Sequence, residues 1–437
     1  MKISGPLEMA GCPVQEETSE KLWTSNFLLL WQGQFISMLG DVIYSIALGF
    51  WVLAVTGSTV LMGTLMAATT LPKVLVSPFA GVWADRTDRK RLLIGMDLIR
   101  GLLIVLMGVA AYGGFIRIWM VFLVGIILGI CGAFFTPAVS ALIPDIVSRS
   151  KLMKANSFLG MIQTGSNIIG NSVGGFLFQI WGAPMMFLFN GFSYVVSGFL
   201  EIFLKIPRIE QVEDSAGPHA RARQHFFEDM KEGYLFVWRF GGLRYLLIMI
   251  SFINFILCTA MVLLLPLYQM TKSLGPTKYG ISMAFLAGGL LVGMMITAAL
   301  KIPTAKKMLF FVVCVIISSL CFILFAVIEN FSLMVTLIFM GGIFIAMIIV
   351  LIHSIIQLTV PQEIRGKVFA LINMCTQALM PLGMILGGTL AKFIPIRVII
   401  VSCFSIELLL FVSFSFLHSV TMFFNSDPVV KNPGDSE

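Results

Sequence analysis

The chain has 437 residues, is 58% apolar and only 12% charged, and has a mean hydropathy of +0.97. A water-soluble protein of that length keeps a far more polar exterior, so a soluble fold is excluded. The formal net charge of +7 is no signal for nucleic acid, because the basic residues sit in short segments between apolar runs.

Residues 1 to about 25 read as a polar cytoplasmic tail. Within it Met9-Ala10-Gly11-Cys12 has the form of a lipoprotein cleavage box, but Glu8 stands where an apolar stretch would have to precede it. No signal peptide is expected. Apolar runs of membrane length then recur to the end of the chain. They predict an all-α polytopic membrane protein with first-half spans at about 26–54, 58–83, 92–112, 118–140, 156–180 and 184–204. A polar segment, about 205–243 and containing Gly217-Pro218, precedes six more at about 244–270, 278–300, 308–328, 331–358, 367–391 and 396–418. The expected organisation is a tail (1–25), a six-helix bundle (26–204), a central cytoplasmic loop (205–243), a second bundle (244–418) and a C-terminal cytoplasmic tail (419–437), all bounds being about right to a few residues. With the N-terminus inside, 22 of the 29 lysines and arginines fall in cytoplasmic segments and five in outer loops, leaving Lys73 and Arg100 within spans. That asymmetry predicts both termini in the cytoplasm of a cell whose inner (plasma) membrane holds the protein.

Polar residues inside spans are rare and mark function by default. Asp41 is the clearest, lying midway along the first span, roughly 21 Å from Phe27 at 1.5 Å per residue. Gln34, Ser37, Asp41 and Tyr44 recur at helical spacing and form one polar face. Asp41 is a candidate to bind a cationic substrate or carry a coupling proton, or else a structural partner of Arg100 or Lys73. Arg100 has two partners open to it, Asp97 at i, i−3 and Asp41. Lys73, next to Pro72, either lines a cavity or extends to the interface. Glu407 is a proton carrier or a satisfied structural carboxylate. Gln163, Asn167 and Asn171 form a stripe at i, i+4, i+8, Asn373 pairs with Gln377 and His353 with Gln357, and Asn254 stands alone; all are expected to point inward. His353 is a further proton-carrier candidate. The 38 Phe and 27 Met suit a cavity for bulky, varied apolar substrates. Six of the seven cysteines lie in apolar segments without CxxC spacing, so neither disulfides nor a metal site is expected. No GxxxxGK[ST], HExxH or Cys/His cluster occurs, so no enzyme, cofactor or metal chemistry is expected.

Three stretches carry a family resemblance. Phe79 to Gly95, FAGVWADRTDRKRLLIG, packs six charges between two membrane-length runs, with Gly81, Asp85, Arg86, Asp88, Arg89, Lys90 and Arg91 in order. Ile169-Gly170-Asn171-Ser172-Val173-Gly174-Gly175-Phe176-Leu177 matches Leu382-Gly383-Met384-Ile385-Leu386-Gly387-Gly388-Thr389-Leu390 in the second half. Asn26-Phe27 through Gly40-Asp41 and Phe134-Phe135-x-Pro137-Ala138-x5-Pro144 add to these. Together they resemble the Major Facilitator Superfamily (MFS), and within it the macrolide-efflux and siderophore-export branch. The resemblance implies two pseudo-symmetric six-helix bundles with a substrate path between them. It implies that Gly81 lets span 2 approach span 11 and that Asp85 faces the start of span 11, a latch that closes the cytoplasmic side with Arg86, Arg89 and Lys90 in support. It gives Gly170, Gly174, Gly175, Gly383, Gly387 and Gly388 a helix-packing role. Three departures are visible. Asp88 replaces a common glycine, the counterpart loop around Lys301 lacks its acid, and Gly125-Ile126-Ile127-Leu128-Gly129 lacks the arginine many exporters carry in span 4. The implied activity is proton-coupled export of a bulky organic molecule by alternating access, the chain acting as a monomer with small-molecule substrate, protons and bilayer as its partners. A proton-coupled importer or siderophore transporter on the same fold is the alternative, and a non-transporting sensor or scramblase a third.

Overall fold

The computed structural model describes residues 22–84, 87–205, 231–300, 302–417, 421 and 424. Most of both predicted tails, residues 206–230 of the central segment, and Asp85, Arg86 and Lys301 lie outside the described residues. Those described form helices without a strand among them. Helices α1 to α4 run Ser25–Thr56, Thr59–Ala84, Arg89–Tyr112 and Ile118–Ile146. One helical run, Leu152–Ile202, is broken at Gly182, whose φ of 68° and ψ of 173° are non-helical. Its arms are α5 (152–181) and α6 (183–202). A short helix over 231–239 leads into α7, Gly241–Met270, itself interrupted between Met261 and Leu264. Then come α8 (Pro276–Ala299), α9 (Lys307–Val327), α10 (Phe331–Thr359), α11 (Gln362–Leu390) and α12 (Ile396–Ser415).

Local chemistry explains the ends. Thr24 accepts from the Phe27 N–H at 3.2 Å and Gly57 stops α1 in the left-handed region at φ 63°. Asn330 caps α10 by accepting from Leu333 N. Asp88 caps α3 by accepting from Arg91 N at 3.2 Å. Two spans run longer than expected. Helix α4 continues to Ile146 through Pro137 and Pro144, and α11 begins at Gln362. A helical backbone meets its own hydrogen bonds, which apolar surroundings demand, so a lost proline bond is tolerated. The fifth and sixth spans are joined without a polar turn because Gly182 supplies the only non-helical residue needed, with Pro184 beginning the next arm.

Each half holds its own buried clusters, such as Phe50, Leu65 and Phe187 in the first and Phe311, Ile343 and Leu351 in the second. Large apolar side chains such as Leu106, Trp119, Phe192 and Phe199 are exposed on the outside, a surface suited to lipid and not to water. Between helices the seams are built from glycine, because lipid offers no hydrophobic drive and close backbone approach must supply the attraction. The repeated glycine pattern does the same work twice. Gly170 and Gly174 sit on Val42 and Ile46 of α1, where an added Cβ would come within 2.8 and 2.7 Å. Gly383 and Gly387 sit on the Phe255 and Thr259 carbonyls of α7. The last glycine of each set crosses to the other half: Gly175 abuts Pro276 and Gly280 of α8, and Gly388 abuts Thr59 and Gly63 of α2. Thr59 Oγ1 also donates to the Gly388 carbonyl at 2.8 Å.

All these crossings lie far from the chain's N-terminal face. Gly63 and Gly81 are 18 residues apart on α2, five helical turns, so they share a face about 27 Å apart. Gly63 touches α11, whereas a Cβ on Gly81 would meet nothing within 4 Å; the same is true of Gly160 on α5 and Gly366 on α11. The halves are therefore closed at the far face and open at the N-terminal face. Replacing Gly388 by Leu should pry the closed face apart, since its Cβ would strike the Thr59 carbonyl at 2.5 Å. Overpacking of this kind costs about 1–3 kcal/mol. In a cysteine-free background, maleimide labelling of a Met66→Cys probe from the far face should rise several-fold; unchanged labelling would mean that the seam does not hold the closure.

Candidate functional site

A cavity of about 410 Å³ lies wholly within the first half and is walled by α1 to α6. Its polar side is one hydrogen-bonded line. Asp41 of α1 is exposed to the cavity and accepts from Tyr194 Oη of α6 at 2.5 Å and from Asn190 Nδ2 at 3.4 Å. Tyr194 Oη in turn accepts from Arg100 Nη1 of α3 at 3.3 Å. Arg100 Nη2 donates to Asp97 Oδ1 at 2.5 Å and its Nε to the Met96 carbonyl at 3.3 Å. Both partners considered for Arg100 are thus engaged: Asp97 directly, Asp41 through a tyrosine.

The backbone makes this approach possible. A Cβ on Gly40 would run into the Ser193 and Asn190 side chains, so α1 can lie against α6 beside Asp41 only with glycine there. Gly101 of α3 and Gly191 of α6 face one another, each Cβ position within 3.1 Å of the other's carbonyl oxygen. That seam brings Arg100 to Tyr194. The guanidinium lies 4.1 Å from the Phe135 ring centroid and 4.5 Å from that of Tyr194, in a sandwich that holds a desolvated cation well. Helix α4 contributes Phe135 against the Arg100 guanidinium of α3.

The rest of the lining mixes polar and apolar groups. Gln34, Ser37, Tyr44, Lys73, Gln163 and Asn167 line the cavity with Met38, Leu48, Met66, Leu128 and Phe135. Lys73 runs along Gly132 of α4 and belongs to the cavity wall. Gln34 Nε2, Tyr44 Oη and Ser166 Oγ are buried and make no hydrogen bond. Buried polar atoms without partners are uncommon and costly, so this wall has bonding capacity to offer a ligand. Asn167 Nδ2 is already spent on the Gln163 carbonyl at 2.8 Å.

A smaller cavity of about 170 Å³ in the second half collects Asn254, His353 and Asn373, with His353 stacked on Phe369 at 5.5 Å. Gln357 and Gln377 are exposed nearby on α10 and α11. Glu407 of α12 is half-buried one turn from Cys403 and lines neither cavity. Of the latch residues, Gly81 faces open space, Lys90 is half-buried, and Asp85 and Arg86 lie outside the described residues. Arg89 pairs with Asp145 of α4 at 2.5 Å and donates to the Ala141 carbonyl at 3.0 Å. No group of three His, Cys, Asp or Glu side chains able to hold a metal occurs among the described residues.

Sequence reasoning overlooked the whole polar stripe of α6. Asn190, Ser193, Tyr194, Ser197 and Glu201 recur at helical spacing, which was the available signal. Glu201 is fully buried, and neither of its oxygens has a hydrogen-bond partner, while Ser197 faces Asp97. Arg100 is thus central to a buried region with more carboxyl groups than cations. Removing one partner of a buried pair costs about 3–5 kcal/mol. Arg100→Leu should lower thermal stability in detergent by that order, and Asp97→Asn added to it should recover most of the loss. An additive double mutant would break the pairing argument.

The Major Facilitator Superfamily profile matches residues 30–380 and 305–436 of the chain. Macrolide efflux protein A of Streptococcus pyogenes is 25% identical over 378 residues, covering 86% of this chain and 91% of that protein. The uncharacterized MFS-type transporter YvqJ of Bacillus subtilis is 26% identical over 384 residues, covering 86% and 88%. Among solved structures, a bacterial homologue of the human lysosomal transporter Spinster, inward-facing and unoccupied, aligns with a TM-score of 0.65 at 13% identity, covering 93% of this chain and 97% of that one. A bacterial homologue of the iron transporter ferroportin, in an inward-facing state, aligns with a TM-score of 0.62 at 15% identity, covering 91% and 100%. The long apolar helices among the described residues, the repeated glycine seams and these likenesses agree: the chain belongs to the Major Facilitator Superfamily.

Proposed function

We propose that this transporter exports a bulky organic molecule, of the drug, macrolide or secondary-metabolite kind, in exchange for protons. The observation that carries the reading is Asp41, a carboxylate exposed in a cavity that mixes polar side chains with Met38, Leu48, Met66, Leu128 and Phe135, and tethered through Tyr194 to Arg100. A carboxylate in that setting attracts either a proton or a cationic group of a substrate, and the two compete for it. Such competition is the minimum an exchanger needs. The named macrolide-efflux relative supports the direction of transport. The N-terminal face is cytoplasmic on this reading, with both termini inside and the protein in the plasma membrane, and the open state is the one that loads substrate. One chain suffices on this reading, its two halves closing over one substrate.

Closing the cytoplasmic side would bring Gly81 of α2 toward α11, on the face that already meets α11 at Gly63. Asp85 beside the start of α11 would then be favoured by the helix dipole, by about 0.3–1 kcal/mol at an exposed site. Asn254, His353 and Asn373 of the second half would close over the substrate in the same movement, and Gln34 would offer it a donor. Glu407, away from both cavities, takes no part in this path.

Drug accumulation in an efflux-deficient bacterial host tests the reading, with macrolides, lipophilic cations and catechol chelators as the panel. Wild type should lower accumulation of at least one compound, and a protonophore should abolish the effect. Asp41→Asn removes a charge-assisted contact worth about 1.5–3 kcal/mol, so apparent affinity should fall roughly 10–150-fold while the variant remains folded. Proton-driven uptake of a panel compound would reverse the direction and favour the importer. Gly81→Leu separates the two states: stability should change by less than about 0.5 kcal/mol, because the site is empty in the open state, whereas efflux should fall sharply. Equal efflux would remove Gly81 from the latch.

A further inference from the structure

The short helix over 231–239 is packed on one side only. Val237 is fully buried in the second half's core, Gly233 rests on the Lys367 backbone of α11, and Glu232 pairs with Lys367 Nζ at 2.6 Å. Its other side leaves Tyr234, Leu235 and Trp238 exposed at 46%, 43% and 47%. That is a large apolar share for a helix also bearing Lys231 and Arg239. Trp238 stacks on Tyr234 with ring centroids 5.3 Å apart. Arg244, at the start of α7, lies between two rings, 5.4 Å from Trp238 and 5.1 Å from Tyr245.

The direction of this surface follows from α7. Leu246, Met249 and Ile253 are buried in the core, and Asn254 lines the second cavity. Ile248 and Phe252 are exposed on the opposite side, which is the lipid-facing stripe. Arg244 is one turn below Ile248 on the same stripe. The exposed aromatic face and its cations therefore sit where the bilayer's hydrocarbon gives way to headgroups. Tyr and Trp are at home at that depth, and basic side chains beside them attract anionic headgroups. An amphipathic helix with aromatic residues on one face and cations at its border is built to lie in the interface.

We propose that helix 231–239 and Arg244 form a binding site for the headgroup of an anionic phospholipid in the leaflet on the N-terminal face. Trp238 and Tyr234 enter the interfacial layer, and Arg244 and Arg239 meet the phosphate. Through Glu232 and Lys367 the site is fastened to the start of α11, the helix that crosses to the first half at its far end.

The test uses the full chain reconstituted in phosphatidylcholine vesicles containing a fifth of either brominated phosphatidylglycerol or brominated phosphatidylcholine. Tryptophan emission should be quenched more by the anionic lipid. The surplus should disappear in Trp238→Phe, which removes the reporter and keeps an aromatic ring. It should fall at least several-fold in Arg239→Gln/Arg244→Gln and persist in Arg117→Gln, a basic residue between α3 and α4. Thermal unfolding in detergent identifies a variant that has simply lost its fold. Equal quenching by the two lipids in wild type, or a surplus that survives both Trp238→Phe and the double substitution, would overturn the proposal and leave the face to a protein partner. Because the readout involves no transported solute, its outcome is independent of the efflux reading.

Discussion

A charge in the middle of a bilayer has no water to solvate it, and this chain places several at that depth. The cost of such groups is several kcal/mol each unless they are paired and hydrogen-bonded. Asp97, Arg100, Tyr194 and Asp41 answer that cost as a single chain of contacts running from the buried core to the cavity wall. Everything around it serves the line. Gly40 and Gly101 remove side chains where helices must touch, and Phe135 and Tyr194 enclose the guanidinium. What is left over is informative: the cavity keeps Asp41 and several unpaired polar atoms for something else to engage.

The same scarcity of driving force shapes the relation between halves. Without hydrophobic attraction between helices, contact depends on backbone fit, so a glycine determines where two helices can meet. Each glycine set serves its own half with two members and the opposite half with the third. The result is a closure at one face made from two equivalent crossings, α5 with α8 and α2 with α11. Such a closure rests on backbone contact at a few glycines. Gly81, on the same side of α2 as Gly63, faces open space. Lipid held at helix 231–239 would bear on the same helix, α11, from outside the path.

Much of the architecture was legible in the sequence because lipid imposes simple rules. Length and hydropathy marked the helices, lysine and arginine asymmetry suggested the orientation, and the repeated glycines indicated duplication. The break at Gly182 was harder to see, since a single left-handed residue replaces the polar turn that a sequence reading looks for. Asp41 and Arg100 stood out as charges in apolar runs. Tyr194, Asn190 and Ser193 did not, because their spacing on α6 was not weighed as the Gln163, Asn167 and Asn171 stripe of α5 was. Glu201 passed unnoticed near the end of its span, where a charge reads as interfacial, although the fold buries it completely.

Composition and periodicity thus determined by themselves that this is a polytopic helical membrane protein whose first half carries intramembrane charge, and the motifs pointed to its family. Only the tertiary structure decided the pairing. Arg100 can reach Asp97 along its own helix, but it reaches Asp41 only because α6 inserts a tyrosine between them. It likewise decided that Lys73 faces the cavity while Glu407 does not, and which face is closed. These outcomes depend on how helices rotate and approach across glycine seams, distances set by partners far away in the chain. A one-dimensional pattern records which residues share a face of one helix, but not which helix that face will meet.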